Sequence, residues 1–257
     1  MGAVARERGN VVEGPRLRKK PETGHTPGAS RAARLTARRA VGTSLRVPPS
    51  SRPPTTAEPL RLILASGSPR RSEILGEAGV NFQVDVSGID EKTRAGETPG
   101  ALVVRLAREK CLDVAGRRGD APARPVLAAD TIVVAPGDEV LGKPRDEAHA
   151  IELVSRLIGV THRVMTGVAV AWTDGRGPWT TVVTSQVEMR EATRDEVAEY
   201  VTVGESLDKA GAYALQGEGA RFVTAVRGSR TNVIGLPLEE SLALLDESGA
   251  PFEALRR

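Results

Sequence analysis

Leu62-Ile-Leu-Ala-Ser-Gly-Ser-Pro-Arg-Arg71 runs an apolar strand straight into a small-residue turn and a pair of arginines. Pro69 suits the first turn of a helix, where a missing N–H leaves no bond unmade. Ser66, Gly67 and Ser68 let backbone N–H groups come close to an oxyanion, and the positive end of the helix adds to Arg70 and Arg71. Strand, tight turn and helix in this order read as a phosphate site; an ordinary helix start is the alternative.

Outward from that turn the chain alternates strands and helices. The patterning predicts strands over 61–65 and near 82–87, helices over 69–78 and from Pro99 to about Ala115, an apolar strand at 126–134, and a helix at 146–157 closed by Gly159. Two Val/Thr-rich runs, 162–172 and 178–189, flank Thr173-Asp174-Gly175, a hairpin signal that makes the sheet mixed. Thr193-Arg194-Asp195-Glu196 is a capping box opening another helix. Residues 204–220 are glycine-rich with little periodicity, long for an idle loop, and mark a candidate active-site segment. A strand at 221–226 and a helix from Pro237 complete an α/β domain spanning 59–257.

The first 58 residues differ in kind. They hold 12 Lys and Arg against 4 Asp and Glu, whereas the remainder holds 24 basic and 29 acidic residues, so the pI of about 9.3 belongs to the extension. With no aromatic residue and many Gly, Pro, Ser and Arg, the segment cannot bury enough surface to offset its ordering entropy and is expected to be disordered. Such a basic tail could touch nucleic acid weakly through counterion release; a functionless extension, or residues translated from upstream of the true start, is the plainer reading. Its Arg- and Ser-rich, acid-poor composition also suits an organellar transit peptide, while Arg38-Arg39 lacks the apolar core that a twin-arginine signal needs. No 18-residue apolar run exists to span a membrane. The single cysteine, Cys111, excludes an intrachain disulfide and reads as core, and His25, His149 and His162 show no metal-ligand spacing.

Four residues break local rules. Asp130 interrupts Val126-Leu-Ala-Ala-Asp-Thr-Ile-Val-Val134, where a carboxylate needs a strong partner: backbone N–H groups at a strand end, or a metal or catalytic role. Lys110 falls within the apolar stripe of Val103, Leu106, Ala107 and Val114, from which it either snorkels or reaches into a cleft. Gly137-Asp-Glu-Val-Leu-Gly142-Lys143-Pro144 nearly spells a P-loop, but Pro144 stands where the magnesium-binding hydroxyl would be, and no helix opens after the lysine. Lys143 thus remains a phosphate candidate or a solvent-facing turn residue. Glu91 could bring a second carboxylate to a metal or lie on the surface.

Leu64-Ala-Ser-Gly-Ser-Pro-Arg-Arg71, Ala129-Asp-Thr131, Gly142-Lys-Pro144, Asp208-Lys-Ala-Gly-Ala-Tyr-Ala-Leu-Gln-Gly217 and Asn232-Val-Ile-Gly-Leu-Pro237 occur in one order that resembles the Maf family of nucleoside triphosphate pyrophosphatases. The resemblance runs from about Leu62 to Leu245. It implies a mixed-sheet Maf/ITPase-like fold with a deep cleft, a cytoplasmic homodimer, and cleavage of nucleoside triphosphates to monophosphate and pyrophosphate with magnesium or manganese. A housecleaning role and a link to arrest of cell division come with it. Under it, Glu91 and Asp130 would hold the metal, and Asp130 would take a proton from the attacking water. Ser68, Arg71, Lys110, Lys143 and Lys209 would clamp the phosphates.

Within the family, members resembling the dTTP/UTP group carry Arg, Thr and Gln where members acting on 7-methyl-GTP carry Trp, Gln and Glu. This chain has Arg70, Thr131 and Gln216. A Gln amide offers both a donor and an acceptor to the edge of uracil or thymine, so dTTP, UTP and modified pyrimidine nucleotides are the expected substrates. Arg230 stands where many relatives carry an aromatic residue, which leaves base stacking to Tyr213, Phe222 or a guanidinium plane. A regulatory, nucleic-acid-binding protein acting through the basic tail is the competing class.

Overall fold

The computed structural model describes residues 60–119 and 122–256. The expectation of a disordered basic tail over 1–58 therefore lies outside the described residues. Seven strands form one mixed sheet in the order β2-β1-β3-β5-β6-β7, with β4 paired to β3. The strands are β1 (Leu62–Leu64), β2 (Phe82–Val84), β3 (Pro125–Val134), β4 (Val140–Leu141), β5 (Thr161–Trp172), β6 (Trp179–Met189) and β7 (Val223–Arg227). Only β2, β1 and β3 run parallel; β5, β6 and β7 follow antiparallel, as the hairpin signal at Thr173-Asp174-Gly175 required.

Helices cover both faces, so β1 and β3 read as continuous apolar runs. Alternate residues Ile63, Val126 and Ala128 pack under α2 (Pro99–Arg117), with Ala107, Cys111 and Val114. Leu62, Leu64, Leu127 and Ala129 pack on the opposite face with residues of α1 (Pro69–Glu77), α6 (Leu238–Glu247) and α7 (Phe252–Leu255). With Val133, Val164 and Val187 of the sheet, α3 (Glu147–Ser155) and α4 (Arg194–Thr202) close a third cluster around Tyr200 and Phe222. The capping box at Thr193 and Glu196 opens α4 with both reciprocal bonds formed. A short α5 (Arg230–Ile234), opened by the Ser229 hydroxyl, and the two-residue β4 have no counterpart in the sequence patterning.

The cleft follows from where the pairing stops. β1 pairs with β3 only at Val126 and Leu127, and β4 takes up the same edge at Val133 and Val134. Residues 128–132 are thus left without a strand on that side, at the carboxyl ends of the parallel strands, where open α/β sheets bind ligands. On the other side of β3, Gly167 of β5 stands opposite Asp130. A Cβ on Gly167 would lie 2.2 Å from the Val103 carbonyl oxygen, so glycine is what lets α2 rest directly on the sheet at this point.

Two buried side chains carry the fold to the far wall of the cleft. His162 Nε2 and the Tyr213 hydroxyl lie 2.9 Å apart, and burial draws the imidazole down to about 4 from its usual value. Cys111 is fully buried, and that burial pushes its thiol up to about 12, as befits a core residue.

Gly167→Ala is expected to cost about 3 kcal/mol or more in urea unfolding, because the clash is with backbone; a loss under about 1 kcal/mol would contradict the packing described. Acid should find His162. The unfolded imidazole binds its proton near pH 6.5 and the folded one only near 4, so this group's stability contribution is present above pH 6.5 and lost between 6.5 and 4, up to about 3 kcal/mol. His162→Gln should flatten the fall of Tm across that window, and an unchanged slope would show that other groups govern it.

Candidate active site

The open edge of β3 forms the floor of a cleft of about 670 Å³. Ser68, Arg70, Arg71, Glu91, Lys110, Asp130, Thr131, Lys143, Lys209 and Gln216 all line it. The ten residues singled out in the sequence thus converge, although they come from six separate segments.

Asp130 projects from β3 toward α2, where Lys110 meets it. The Lys110 ammonium lies 2.6 Å from Asp130 Oδ1 and 2.8 Å from Glu91 Oε1. Lys110 and Asp130 are nearly inaccessible, whereas the Glu91 side chain is 56% exposed on the segment that follows β2. Taking two charges out of water is costly unless they pair at close range, and removal of one partner commonly costs about 3–5 kcal/mol. Each therefore holds the other in the cleft. Asp130 Oδ2 and Glu91 Oε2 have no protein donor among the described residues. Two carboxylates with a free oxygen each suit magnesium or manganese, which completes its shell with water and substrate phosphate. No group of three or more His, Cys, Asp or Glu side chains gathers anywhere among the described residues, so a fully protein-built cage is absent there.

The opposite wall belongs to Arg71. Its Nε donates to the Gly235 carbonyl at 2.8 Å, Nη1 to Ser66 Oγ at 2.9 Å, and Nη2 to Thr131 Oγ1 at 3.2 Å. All three acceptors are neutral, and burial draws the guanidinium's pKa below its ordinary value, with Asp130 opposing the shift. A desolvated cation fixed by neutral groups keeps its charge available to an anion. Beside it, Ser66 Oγ also accepts from the Ser68 amide at 3.2 Å, which shapes the turn. The Ser68 side chain caps no helix amide, so its hydroxyl is not consumed by α1.

The glycine-rich segment forms the third wall. Glu205 ties its ends together, accepting from the amides of Glu218 (3.3 Å) and Gly219 (2.9 Å). The Gly211 amide donates to the Gly142 carbonyl at 3.1 Å, bringing Lys209 and Lys143 to one rim; the left-handed backbone at Gly211 (φ 68°) makes that approach possible. Asp208 binds Arg70 at 3.1 Å and Lys209 at 2.5 Å. Burial pushes the Asp208 carboxyl up, but these two cations outweigh it and hold it below the usual range. Lys143 and Gln216 are exposed and make no bond to the described protein. Tyr213 and Gln216 sit along the same wall.

Sequence reasoning did not assign roles to Ser66 Oγ, Asp208, Thr166 or the Gly235 carbonyl. Asp208 and Gly235 lie inside motifs, so position alone marked them; Thr166 carried no local signal beyond its neighbour, the mid-strand Gly167.

A family profile described as Maf-like protein matches residues 61–248. A dTTP/UTP pyrophosphatase of Myxococcus xanthus is 50% identical over 196 residues, 76% of this chain and 96% of its own length. One from Escherichia coli O157:H7 is 49% identical over 195 residues, 76% of this chain and 94% of its own. Among solved structures, a nucleoside-triphosphatase, or dITP/XTP pyrophosphatase, of Mycobacterium abscessus shares 14% identity over 51% of this chain and 73% of its own, with a TM-score of 0.31, too distant to bear on the site. The motif order read from the sequence, the profile match over most of the domain and these near-full-length relatives agree: the chain belongs to the Maf family.

Proposed function

We propose that this protein is a nucleoside triphosphate pyrophosphatase that cleaves dTTP and UTP to the nucleoside monophosphate and pyrophosphate. The observation that carries the reading is the juxtaposition, across one cleft, of a cation fixed by neutral acceptors (Arg71) and a carboxylate pair gathered on Lys110. A triphosphate needs both: positive charge for its oxygens and an acceptor for the proton of the attacking water. The names of the Myxococcus xanthus and Escherichia coli relatives support the substrate class.

In this reading Asp130 accepts the proton of the water that attacks the α-phosphorus, and Lys110, which holds Asp130 and Glu91 in place, adds positive charge beside the phosphate oxygens. Arg71, Ser68, Lys143 and Lys209 bind phosphate oxygens and the departing pyrophosphate. Glu91 and Asp130 would hold magnesium or manganese, which when bound supplies charge neutralisation and a more acidic water. Arg70, Thr131 and Gln216 favour pyrimidines, with the Gln216 amide offering both a donor and an acceptor to the base edge. The homodimer and cytoplasmic location implied by the family resemblance belong to the same reading, as do housecleaning of nucleotide pools and a link to arrest of division. No helix among the described residues is long and apolar enough to cross a membrane.

The test is phosphate release from dTTP, UTP, CTP, GTP and 7-methyl-GTP with magnesium, with and without inorganic pyrophosphatase. Phosphate is expected only with the coupling enzyme and fastest from dTTP or UTP. Asp130→Asn should lower kcat by about 100-fold or more. Orthophosphate without the coupling enzyme, or faster turnover of 7-methyl-GTP, would contradict the reading.

A further inference from the structure

Glu91 sits on residues 85–98, which run from the end of β2 to the start of α2 with no helix or strand of their own. Its place beside Lys110 must therefore come from side chains that hold the segment. The helix α2 supplies them: Arg105, Glu109 and Asp113 recur every four residues and lie along one stripe. Upstream of Glu91, Asp113 Oδ2 accepts from the Gly88 amide at 3.1 Å, and Ile89 packs against the cluster of Leu102, Leu106 and Ile132. Downstream of it the tether is a single guanidinium.

Arg105 Nε donates to Glu97 Oε1 at 2.6 Å and Nη2 to Glu97 Oε2 at 2.7 Å, a bidentate pair. Nη2 also donates to the Lys92 carbonyl at 3.1 Å, and Nη1 to Glu109 Oε2 at 3.1 Å. The Arg105 and Glu97 side chains are only 13% and 11% exposed, whereas the segment's ion pair of Lys92 with Asp90 is 85% and 65% exposed. Exposed pairs contribute little, so the buried fork is the one that fixes geometry. Lys92 directly follows Glu91, and its carbonyl is thereby tied to the same helix that carries Lys110. Arg105 itself does not line the cleft. From this geometry we propose that Arg105 is a positioning residue: by binding the Lys92 carbonyl and Glu97 it keeps the Glu91 carboxylate beside that of Asp130, where the two share one divalent cation. The inference rests on the metal placement in the functional reading above.

The experiment uses the full chain and the variants Arg105→Gln, Arg105→Lys, Glu97→Ala, Glu91→Gln and R105Q/E91Q. Binding of Mn2+ to the protein alone is followed through the electron paramagnetic resonance of the free ion, and dTTP hydrolysis is measured across a magnesium titration. Arg105→Gln should weaken Mn2+ about tenfold and raise the magnesium concentration for half-maximal rate by a similar factor, as when a group that orients a metal ligand is removed. Its kcat at saturating magnesium should stay within about threefold of the parent, because Arg105 touches no substrate. Arg105→Lys should lose as much, since an ammonium cannot serve a carboxylate edge and a carbonyl with one planar fork. R105Q/E91Q should bind Mn2+ and turn over dTTP no worse than E91Q, because the carboxylate through which Arg105 acts is gone. Glu97→Ala releases the fork from its other side and should weaken Mn2+ in the same way; it carries the test should Arg105→Gln not fold.

Unchanged Mn2+ affinity in Arg105→Gln, a loss confined to kcat at saturating magnesium, full function in Arg105→Lys, or losses that multiply in the double variant would overturn the proposal. A parent protein that binds Mn2+ but hydrolyses no nucleotide would sink the pyrophosphatase reading alone, and the binding comparison would still decide the role of Arg105. A parent that binds no Mn2+ removes the metal pair and the proposal with it, and any hydrolysis of dTTP it shows leaves the activity standing.

Discussion

The contact between Lys110 and Asp130 is the constraint around which the cleft is built. A carboxylate placed on the central strand of a sheet covered on both faces is tolerable only if a cation reaches it, and the cation must come from the helix that covers that face. Lys110 can do so because Gly167, opposite Asp130, lets α2 lie against the sheet without an intervening side chain. The early end of the β1–β3 ladder then opens the same stretch of β3 to solvent. Strand pairing, a glycine and one helix register thus combine to keep a charged pair both desolvated and reachable from the cleft.

The two principal cations are held by opposite strategies. Lys110 is gripped by carboxylates, which neutralise it and are organised by it in return. Arg71 is gripped by a carbonyl and two hydroxyls, which fix its direction and leave its charge uncancelled. Thr131 and Asp130 are adjacent on β3 and therefore point to opposite faces of the sheet, so one strand serves both arrangements at its open edge. A polyanion entering the cleft meets a fixed positive group on one side and a proton acceptor on the other. The third wall is closed by local bonds of Glu205 and Asp208, which hold Lys209 and Arg70 near the same space.

Much of this was legible in the sequence where the signal is local. The turn at Ser66–Pro69, the apolar run broken by Asp130, the lysine in the apolar stripe of α2 and the hairpin at Gly175 each follow from neighbours a few residues apart. β4 and α5 did not, because two residues of strand and five of helix carry too little periodicity to register. Arg71's acceptors were also hidden: Thr131 and Gly235 lie far along the chain, and only the closed sheet brings them together. Thr131 shows the limit most clearly. The family resemblance marked it for base selection, but the contacts of its hydroxyl with a threonine of the neighbouring strand and a carbonyl beyond α5 have no local signal.

The most direct test of the account is a crystal structure of the protein with magnesium and a UTP analogue whose α,β-bridge is an imido group. The account expects the triphosphate in the cleft, its oxygens met by Arg71 and Ser68, with the cation held by Glu91 and Asp130 and the uracil beside Gln216. A nucleotide bound outside the cleft, or phosphates that leave Arg71, Glu91 and Asp130 untouched, would contradict it.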